Sequence, residues 1–577
     1  MRRLFVIGVL LGCYPVLLLT ALWPAPVAFA LVALLSYAIE YAAPRLSRPF
    51  VDLLARVHLG VTLRFATREM AAVLLVARTA GPDSPWFVAL AAGLFAMHGV
   101  RAVQTALAMR LKRTLSTMPV TTRNLDVSAL NLPKMPPEFL TNYRGVRFLY
   151  LDMLPVLGAS LGAVAGAVGA ALGLLMGCLG VLALLPYVRR TAPLSDTARI
   201  LDVVGQRVSD YRPEVILYFS GATEAAYQAK MWLSALERLD RRAIVVLRER
   251  GMADRLGATT LPMVCLPSSA DLMGFHALGT ADLCLYVANV GKNIHMLRIA
   301  GLRSAFIGHG DSDKEASFNP FSRVYDEVWV AGPAGRDRYR RARVGVRDED
   351  VHEVGRPQLE GISHDGPGLP YRTVLYAPTW EGWTDDLFHT SLITMGPRIV
   401  RALLEHRPGV RIIYKPHPLT GHRDKAAARA NRKIVSMLEA AALAAAKASH
   451  PSSGEAVKPI RHLVVTGEEP RLYDCFNQAD LMITDISSVV ADFLASGKPY
   501  AVTNVAGLPE GAFHERYPST EAAVLVGQDL AALAGFLNGE DMLACARRKL
   551  RAYLLGPDEP DAMSRFNAAV ERVCAGS

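Results

Sequence analysis

The sequence contains few cysteines, and they form no pattern. Seven Cys residues are scattered over 577 residues, which argues against a disulfide framework and a zinc site and fits a reducing compartment. The sequence also lacks zinc-finger spacing, the aromatic signature of RNA-binding sheets and a helix-turn-helix pattern, so nucleic acid is the weakest explanation for the net charge of +10. Anionic lipid or a phosphorylated substrate is a better match for this charge.

The length and hydrophobicity of the chain predict several domains and a membrane part. A chain of 577 residues is too long for one core, and 51% of its residues are hydrophobic, with the excess in the N-terminal third. We expect a membrane region over residues 1–190, an α/β domain on the acceptor side over residues 191–345, and a donor-binding α/β domain over residues 346–577.

Apolar runs in the first 190 residues predict helical hairpins with about four to six membrane spans. The runs are Leu4–Leu22, Val27–Ala43, Met70–Ala80, Trp86–Val100 and Leu154–Val188. A cleaved signal peptide is the alternative for the first run, and the last is long enough for two close-packed helices. Basic residues between the runs predict a multi-pass protein of the cell membrane, with the rest of the chain on the cytoplasmic side.

Two further expectations concern charge in this region. The segment Val51–Arg68 mixes arginines with apolar residues at helical spacing, which is typical of a helix on an anionic leaflet or of a solvated linker helix. No acidic or basic residue is expected to lie buried within a span, so the pattern gives no sign of a transport path.

From about Leu201, short apolar strands alternate with helical segments, which predicts parallel sheets. A second series of strands is expected to begin near Val351. The predicted fold class is therefore an α-helical membrane region followed by two Rossmann-like doubly wound α/β domains with a cleft between them. The predicted strands are Val215–Phe219, Ala243–Leu247, Met263–Leu266, Leu283–Val287, Ala305–Ile307, Val328–Val330, Val374–Tyr376, Ile412–Tyr414, Leu463–Val465, Leu481–Thr484 and Tyr500–Thr503.

Four of these strands end in clusters of polar residues. The clusters lie at residues 308–314, 379–382, 415–418 and 484–492. Open parallel sheets bind ligands at the carboxyl ends of their strands. The last cluster runs into a short helix whose start, Ser487-Ser488, either caps the helix or holds a phosphate.

The motifs HG-x-x-x-K from His309, K-P-H-P from Lys415 and T-D-I-S-S-x-x-x-D from Thr484 resemble those of the CDP-glycerol glycerophosphotransferase family, the teichoic acid polymerases and primases. The resemblance covers roughly Leu201 to Asn504. It implies a GT-B fold and transfer of a polyol-phosphate from a CDP-activated donor to a lipid-linked or polymer acceptor, with release of CMP. The donor is then a substrate, no cofactor or metal is expected, and a homo-oligomer is compatible with the pattern.

The resemblance also implies roles for the first cluster. His309 corresponds to the family's catalytic histidine and is assigned as general base, with a buried structural histidine as the alternative. Asp311, or else Asp313, is expected to orient its imidazole. Lys314 keeps the spacing of the family's lysine. Asp311-x-Asp313 also matches a short acid-x-acid metal pattern, to which we give little weight.

The remaining clusters provide candidates for the donor side. Lys415 and His417 suit the leaving phosphate, Ser487 and Ser488 suit the β-phosphate, and Thr379 and Trp380 suit the same group or the cytosine. Asp485 is expected to fix a loop rather than to catalyse, and Asp492 to line the cleft. Asn293 and His295 are candidates for acceptor contact, with a capped, solvated helix as the alternative.

Two other points stay open on the sequence alone. An insertion from about Thr420 to Pro459 begins with basic residues and turns Ala-rich, which fits a solvated helix or a basic surface facing lipid headgroups or a polyanion. The function itself has two alternatives, a GT-B glycosyltransferase that makes capsule or glycolipid from a nucleotide-sugar and a non-enzymatic membrane scaffold. The motif residues argue against the scaffold.

Overall fold

The computed structural model describes residues 2–46, 54–130, 136–141, 146–313, 318–382, 389–448, 460–467 and 469–576. The chain divides into two compact units. The first comprises Met1–Met118 and Ser128–Ile200, and the second comprises Pro119–Val127 and Leu201–Ser577.

The first unit is helical. Its main helices are α1 Arg2–Leu22, α2 Pro26–Leu46, α3 Val61–Ala80, α4 Pro85–Ser116, α5 Met153–Leu161 and α6 Ala163–Thr191, with four-residue helices at Glu138–Thr141 and Val146–Leu149. Among the described residues, three helical segments are long and apolar enough to cross a membrane: Pro26–Ala43, Pro85–Ser116 and Ala163–Leu194. Leu11–Leu22 and Tyr150–Leu161 are shorter apolar helices. The predicted four to six spans thus remain a prediction.

Small residues bring α5 and α6 into close contact. A Cβ atom added at Gly158 would lie 2.5 Å from the carbonyl oxygen of Ala165, and one added at Gly169 would lie 2.5 Å from that of Leu154. The run Leu154–Val188 therefore forms two close-packed helices, as expected from its glycines. The second is longer than predicted, with 29 residues.

The expectation that no charged residue lies buried among the apolar helices is wrong. Glu40 of α2 is 4% exposed and Arg68 of α3 is fully buried. Arg64 Nη2 lies 2.6 Å from Glu40 Oε1, and Arg68 Nη2 lies 3.4 Å from Glu40 Oε2. Tyr14 also donates to Glu40. The segment Val51–Arg68 predicts a helix on an anionic leaflet or a solvated linker helix, whereas Arg64 and Arg68 lie on the buried face of a helix that continues to Ala80.

The second unit contains two sheets. The first has the strands β1 Thr121–Arg123, β2 Val215–Phe219, β3 Ala243–Leu247, β4 Met263–Cys265, β5 Leu283–Tyr286, β6 Arg303–Phe306, β7 Glu327–Val330 and β8 Val351–Glu353. Their order is β1-β4-β3-β2-β5-β6-β7-β8, and all pairs are parallel except β1 with β4. The strands from β4 to β7 follow the 3-2-1-4-5-6 order of a doubly wound sheet.

The second sheet has the same order. Its strands are β9 Thr373–Ala377, β10 Arg411–Tyr414, β11 Leu463–Val464, β12 Leu481–Thr484, β13 Tyr500–Thr503 and β14 Val524–Val526. They are arranged β11-β10-β9-β12-β13-β14, and every pair is parallel. The prediction of parallel sheets is therefore confirmed.

Helices cover both sheets. The longer ones are α7 Thr197–Tyr211, α8 Pro333–Ala342, α9 Gly396–Glu405, α10 Lys425–Ala448, α11 Leu472–Asn477, α12 Ser488–Leu494, α13 Glu510–Arg516, α14 Ala531–Asn538, α15 Ala544–Leu555 and α16 Ala562–Ala575. Helices of four or five residues occur at Tyr227–Lys230, Leu233–Leu236, Met252–Arg255, Ser269–Met273 and Asn293–Leu297. The insertion predicted after Thr420 forms α10, while its break at residues 451–454 lies outside the described residues.

Two features of the sheets differ from the sequence interpretation. Val351–Glu353 pairs with β7, so the second series of strands begins at Thr373 rather than near Val351. Phe566, Val570 and Val573 of α16 pack into the core of the first sheet, so the end of the chain returns to it. The sequence interpretation missed this contact because α16 lies far in sequence from the strands of the first sheet.

Candidate active site

His309 lies in a loop three residues after β6, where Gly308 has a positive φ of 61°. The imidazole Nδ1 lies 2.8 Å from the carbonyl oxygen of Val287, at the end of β5. A carbonyl oxygen only accepts, so Nδ1 carries the proton and the neutral ring presents an unprotonated Nε2. Gln228 Nε2, at 3.3 Å, donates to that lone pair.

The surroundings of His309 favour its neutral form. Burial lowers the pKa of His309, the Val287 carbonyl opposes this shift, and the positive charge of Arg356 adds to it. A neutral imidazole with an unprotonated Nε2 can accept a proton from a hydroxyl group that takes the place of Gln228. The geometry therefore suits the predicted base.

The predicted carboxylate partner of His309 is not present. Asp311 Oδ2 accepts from the backbone N–H of Ala331 at 3.1 Å. Asp313 is buried, pairs with Arg338 at 2.9 Å and accepts from the Ser519 N–H. Both acids fix the loop, and Val287 takes the orienting role, because the loop turns the imidazole towards the end of β5. Lys314 lies outside the described residues.

Three aromatic contacts connect the two sheets at this point. The ring of Tyr227 meets that of His309 edge-on, with centroids 6.1 Å apart, and that of His417 in the same way at 6.0 Å. The ring of Trp380 stacks on that of His417, with centroids 5.9 Å apart. His417 Nδ1 accepts from the Leu419 N–H, so in the neutral ring its Nε2 is a donor. The structure thus brings His309, His417 and Trp380 together, as the strand-end clusters suggested.

The His309 loop also contacts the start of α12. A Cβ atom added at Gly310 would lie 2.7 Å from Ser488 Cβ and 2.9 Å from Ser488 Oγ. Ser487 is the N-cap residue of α12 but makes no side-chain cap, and its buried Oγ has no hydrogen-bond partner among the residues that the structure describes. Glycine at 310 is therefore required for the approach of Ser488 to the loop.

Asp485 holds three loops at the carboxyl edge of the second sheet. Its side chain is fully buried. Oδ2 accepts from the backbone N–H groups of Thr379 and Ser391, and Oδ1 accepts from the Thr503 hydroxyl at 2.6 Å. Burial raises the pKa of Asp485, which the hydrogen bonds from Ser391 and Thr503 oppose. These contacts are those of a loop-fixing residue, and the place of Asp485 among the donor-side residues stays a prediction.

A buried ion pair lies next to the His309 loop and the start of α12. Arg356 Nη2 is 3.1 Å from Asp492 Oδ1, and both side chains are 5% exposed. Tyr473 donates to Asp492 Oδ2 at 3.1 Å. Arg356 also approaches Gly310, since its Nη1 would lie 3.8 Å from a Cβ atom there. Asp492 is therefore enclosed rather than lining an open cleft, and sequence reasoning missed Arg356 and Tyr473.

Lys415 donates hydrogen bonds to two backbone carbonyl groups. Its ammonium donates to the carbonyl oxygens of Pro470 at 3.0 Å and Gly467 at 3.4 Å. Burial lowers the pKa of Lys415. The side chain thereby ties the end of β10 to the segment before α11, and the predicted role of Lys415 at the leaving phosphate stays a prediction.

The two acceptor candidates of the first sheet have hydrogen-bond partners of their own. Asn293 is buried and donates to the Ala288 carbonyl and the Tyr325 hydroxyl. His295 Nδ1 accepts from Arg248 at 3.1 Å. Their hydrogen bonds thus fix the segment after β5 rather than reaching the His309 loop, which supports the structural alternative for both residues.

The residues that the sequence did not reveal have weak local signals. Gln228 and Tyr227 belong to a four-residue helix, Tyr227–Lys230, and Arg356 follows β8 without a motif. Only Gly355, with a positive φ of 78°, marks that loop as unusual. Among the described residues, no group of three or more His, Cys, Asp or Glu side chains is arranged to hold a metal ion.

Solved structures with a related backbone include two kinds of enzyme. The wall teichoic acid polymerase TagF is similar over 65% of this chain and 96% of its own, with 14% identity and a TM-score of 0.41. A UDP-GlcNAc 2-epimerase from Neisseria meningitidis, solved with UDP-GlcNAc, is similar over 63% of this chain and 100% of its own, with 8% identity and a TM-score of 0.39. Curated protein sequences gave no match.

A family model matches the middle of the second unit. Residues 323–504 match the CDP-Glycerol:Poly(glycerophosphate) glycerophosphotransferase family. The matched segment contains Arg356, Thr379, Trp380, His417, Ser487 and Ser488, and it begins after His309. The match confirms the resemblance to this family over residues 323–504, the part of the chain that holds the K-P-H-P motif from Lys415 and the T-D-I-S-S-x-x-x-D motif from Thr484.

Proposed function

We propose that the protein transfers a polyol-phosphate from a CDP-activated donor, CDP-glycerol, to a lipid-linked or polymer acceptor and releases CMP. The product would be a teichoic acid-like polymer of the cell envelope. The observation that supports this most directly is the meeting of the two motif loops, where Gly310 beside His309 packs against Ser488. The family match provides the donor class.

The transfer step uses His309 as the base. The acceptor hydroxyl oxygen attacks the β-phosphorus of the donor, and the bond from that phosphorus to the oxygen shared with CMP breaks. The hydroxyl proton moves to His309 Nε2, whose lone pair is held ready because Nδ1–H donates to Val287. Gln228, which donates to Nε2 in this structure, occupies the position that we assign to the acceptor hydroxyl.

The second sheet holds the donor in this proposal. His417 Nε2–H, fixed by the Leu419 contact and by Trp380, is directed at the leaving phosphate. The hydroxyls of Ser487 and Ser488 and the N–H groups at the start of α12 face the β-phosphate, and the unpartnered Ser487 Oγ supports this role. Thr379 and Trp380 contact the nucleotide side. Asp485 and the pair Arg356–Asp492 are positioning residues.

The arrangement of the domains follows from the same proposal. We assign the two doubly wound sheets to a GT-B arrangement, with acceptor contacts on the first sheet and donor contacts on the second. The apolar helices of the first unit anchor the protein in the cell membrane as a multi-pass protein, with the second unit in the cytoplasm. No cofactor enters the reaction as written.

The test is CMP release by purified, detergent-solubilised protein supplied with CDP-glycerol and a lipid-linked acceptor. Wild-type protein is expected to release CMP only with acceptor present, and His309→Ala is expected to lower the rate by about 10²- to 10⁴-fold, the usual contribution of a general base. His276→Ala is the matched control, since His276 is exposed and lies in the same domain.

Two outcomes would contradict the proposal. Equal CMP release by His309→Ala and wild-type protein would remove the base assignment. Release of nucleotide from nucleotide-sugars, with none from CDP-glycerol, would instead identify a glycosyltransferase.

A further inference from the structure

Helix α10, the insertion in the second domain, presents one strongly basic face. Four of its cations are exposed and share a sector of about 100° of the helix, given 100° per residue. They are Lys425, Arg429, Arg432 and Lys433. The opposite side is apolar and packs into the core of the second sheet through Ala430, Ile434 and Leu438. We call the four exposed residues the basic face.

Hydrogen bonds hold the start of α10 next to the donor loops. Glu381, next to Trp380, accepts from the backbone N–H groups of Gly421 and Asp424 just before α10 begins. Tyr414 at the end of β10 donates to Asn431 Oδ1 at 2.8 Å. The loop that carries His417 runs directly into this anchored start. The basic face therefore begins close to the candidate site and has a fixed orientation relative to it.

The charges of the basic face are not balanced within the described part of the chain. None of its four cations forms an ion pair with an acidic side chain there. The helix contains only one acidic residue, Glu439. Like charges three and four residues apart destabilise a helix slightly, so the fold gains nothing from clustering these residues. A ligand of opposite charge would account for the arrangement.

We propose that the basic face binds the phosphodiester polyanion that is elongated at the neighbouring site, which deepens the proposed function and rests on it. From Lys425 to Lys433 the face is about 12 Å long, at 1.5 Å per residue. That length allows contacts with successive charged groups of an extended chain. Binding of this kind keeps the growing end near His309 and His417 between transfers and raises its effective concentration.

A membrane surface fits the basic face less well. Helices that lie on bilayers insert Trp, Phe or Leu next to their basic residues. In α10 the aliphatic side is packed into the protein, and the exposed large apolar residue of the helix, Leu443, lies ten residues beyond Lys433. The basic face thus provides positive charge without neighbouring apolar side chains that would insert into a bilayer. This combination suits a soluble chain of anionic groups.

The test measures binding of fluorescent poly(glycerol phosphate) oligomers to full-length protein in detergent. The variant carries Lys425→Gln, Arg429→Gln, Arg432→Gln and Lys433→Gln, since Gln preserves helix propensity. The matched control removes four exposed cations from two other helices by Arg398→Gln, Arg401→Gln, Arg548→Gln and Lys549→Gln. Circular dichroism checks that both variants fold.

The basic-face variant is expected to bind the oligomers about 30-fold more weakly than wild-type protein, as for the loss of four exposed ion pairs. The difference should shrink as salt is raised, because exposed charges are screened. The control should change affinity less than twofold. With a long acceptor, the basic-face variant should also make shorter products, while CMP release with a short acceptor stays at the wild-type rate.

Three results would decide against the proposal or separate it from the proposed function. Equal oligomer affinity of the basic-face variant and the control would overturn it. So would unchanged oligomer binding together with lost binding to vesicles of anionic lipid, which would identify a membrane contact. Wild-type protein that binds the oligomers through this face yet releases no CMP would refute the transfer reaction and leave the binding surface intact.

Discussion

The contact between Gly310 and Ser488 yields a prediction whose size follows from distances. In Gly310→Ala the new Cβ atom would lie 2.7 Å from Ser488 Cβ, about 1 Å closer than a normal carbon contact. The φ of Gly310 is not positive, so the backbone tolerates alanine and the effect is steric. The two loops must separate by about 1 Å.

We expect two effects of this separation. Overpacking of this kind lowers the free energy of unfolding by about 1–3 kcal/mol. Displacement of reacting groups by about 1 Å lowers the turnover rate by about 100-fold. Urea unfolding of the second unit measures the change in the free energy of unfolding. CMP release with saturating CDP-glycerol measures the change in the turnover rate.

A double-variant cycle separates the contact from other effects of the substitution. Ser488→Gly removes the Cβ atom that collides, so Gly310→Ala should be much less damaging in that background than in the wild type. Gly308→Ala is the control, because its added Cβ atom would have neighbours no closer than 3.8 Å and its harm would come from the positive φ of 61° instead. Ser488→Gly should therefore not rescue it. The reasoning is refuted if Gly310→Ala retains wild-type turnover, or if Ser488→Gly rescues both alanine variants equally.

Two more predictions follow from the buried groups of the site. Burial lowers the pKa of His309 below its ordinary value of 6.5, so the base is deprotonated at every pH above that value. The acidic limb of the pH profile of kcat/KM should therefore have its midpoint below 6.5 and should vanish in His309→Ala. A midpoint above this value would contradict the assignment of His309 as the base. Asp485→Ala removes the acceptor of two backbone N–H groups and one hydroxyl. The substitution should lower the free energy of unfolding, measured with urea, by about 3 kcal/mol or more. A loss under about 1 kcal/mol would show that water replaces the carboxylate.

Local patterns predicted the strands well and the connections between them poorly. Val215–Phe219, Ala243–Leu247, Leu481–Thr484 and Tyr500–Thr503 are strands with the predicted bounds. Buried parallel strands are short apolar runs, which a sequence shows directly. The assignment of Val351 to the second sheet failed because strand propensity does not specify a neighbour. The strand β1 was missed because its three residues, Thr-Thr-Arg, include no apolar side chain.

The candidate site shows the same division. Motifs identified His309, His417 and Ser488, because chemistry needs particular residue types at strand ends. They did not identify the contacts of Asp311 or Lys415, which depend on where a flexible side chain finds a partner. Val287 orients His309 through a carbonyl oxygen, and a backbone group leaves no trace in the residue type. The buried pair of Arg356 with Asp492 joins residues 136 positions apart, beyond any local pattern.

The ion pairs of the first unit have a consequence for how the protein is made. Without partners, α3 would leave the charges of Arg64 and Arg68 unpaired on its buried face, and removing one partner of a buried ion pair costs about 3–5 kcal/mol. Glu40, already present on α2 when α3 is synthesised, offers the compensating charge. The two helices therefore form one folding unit, in which α3 depends on the helix that precedes it for the partner of its buried arginines.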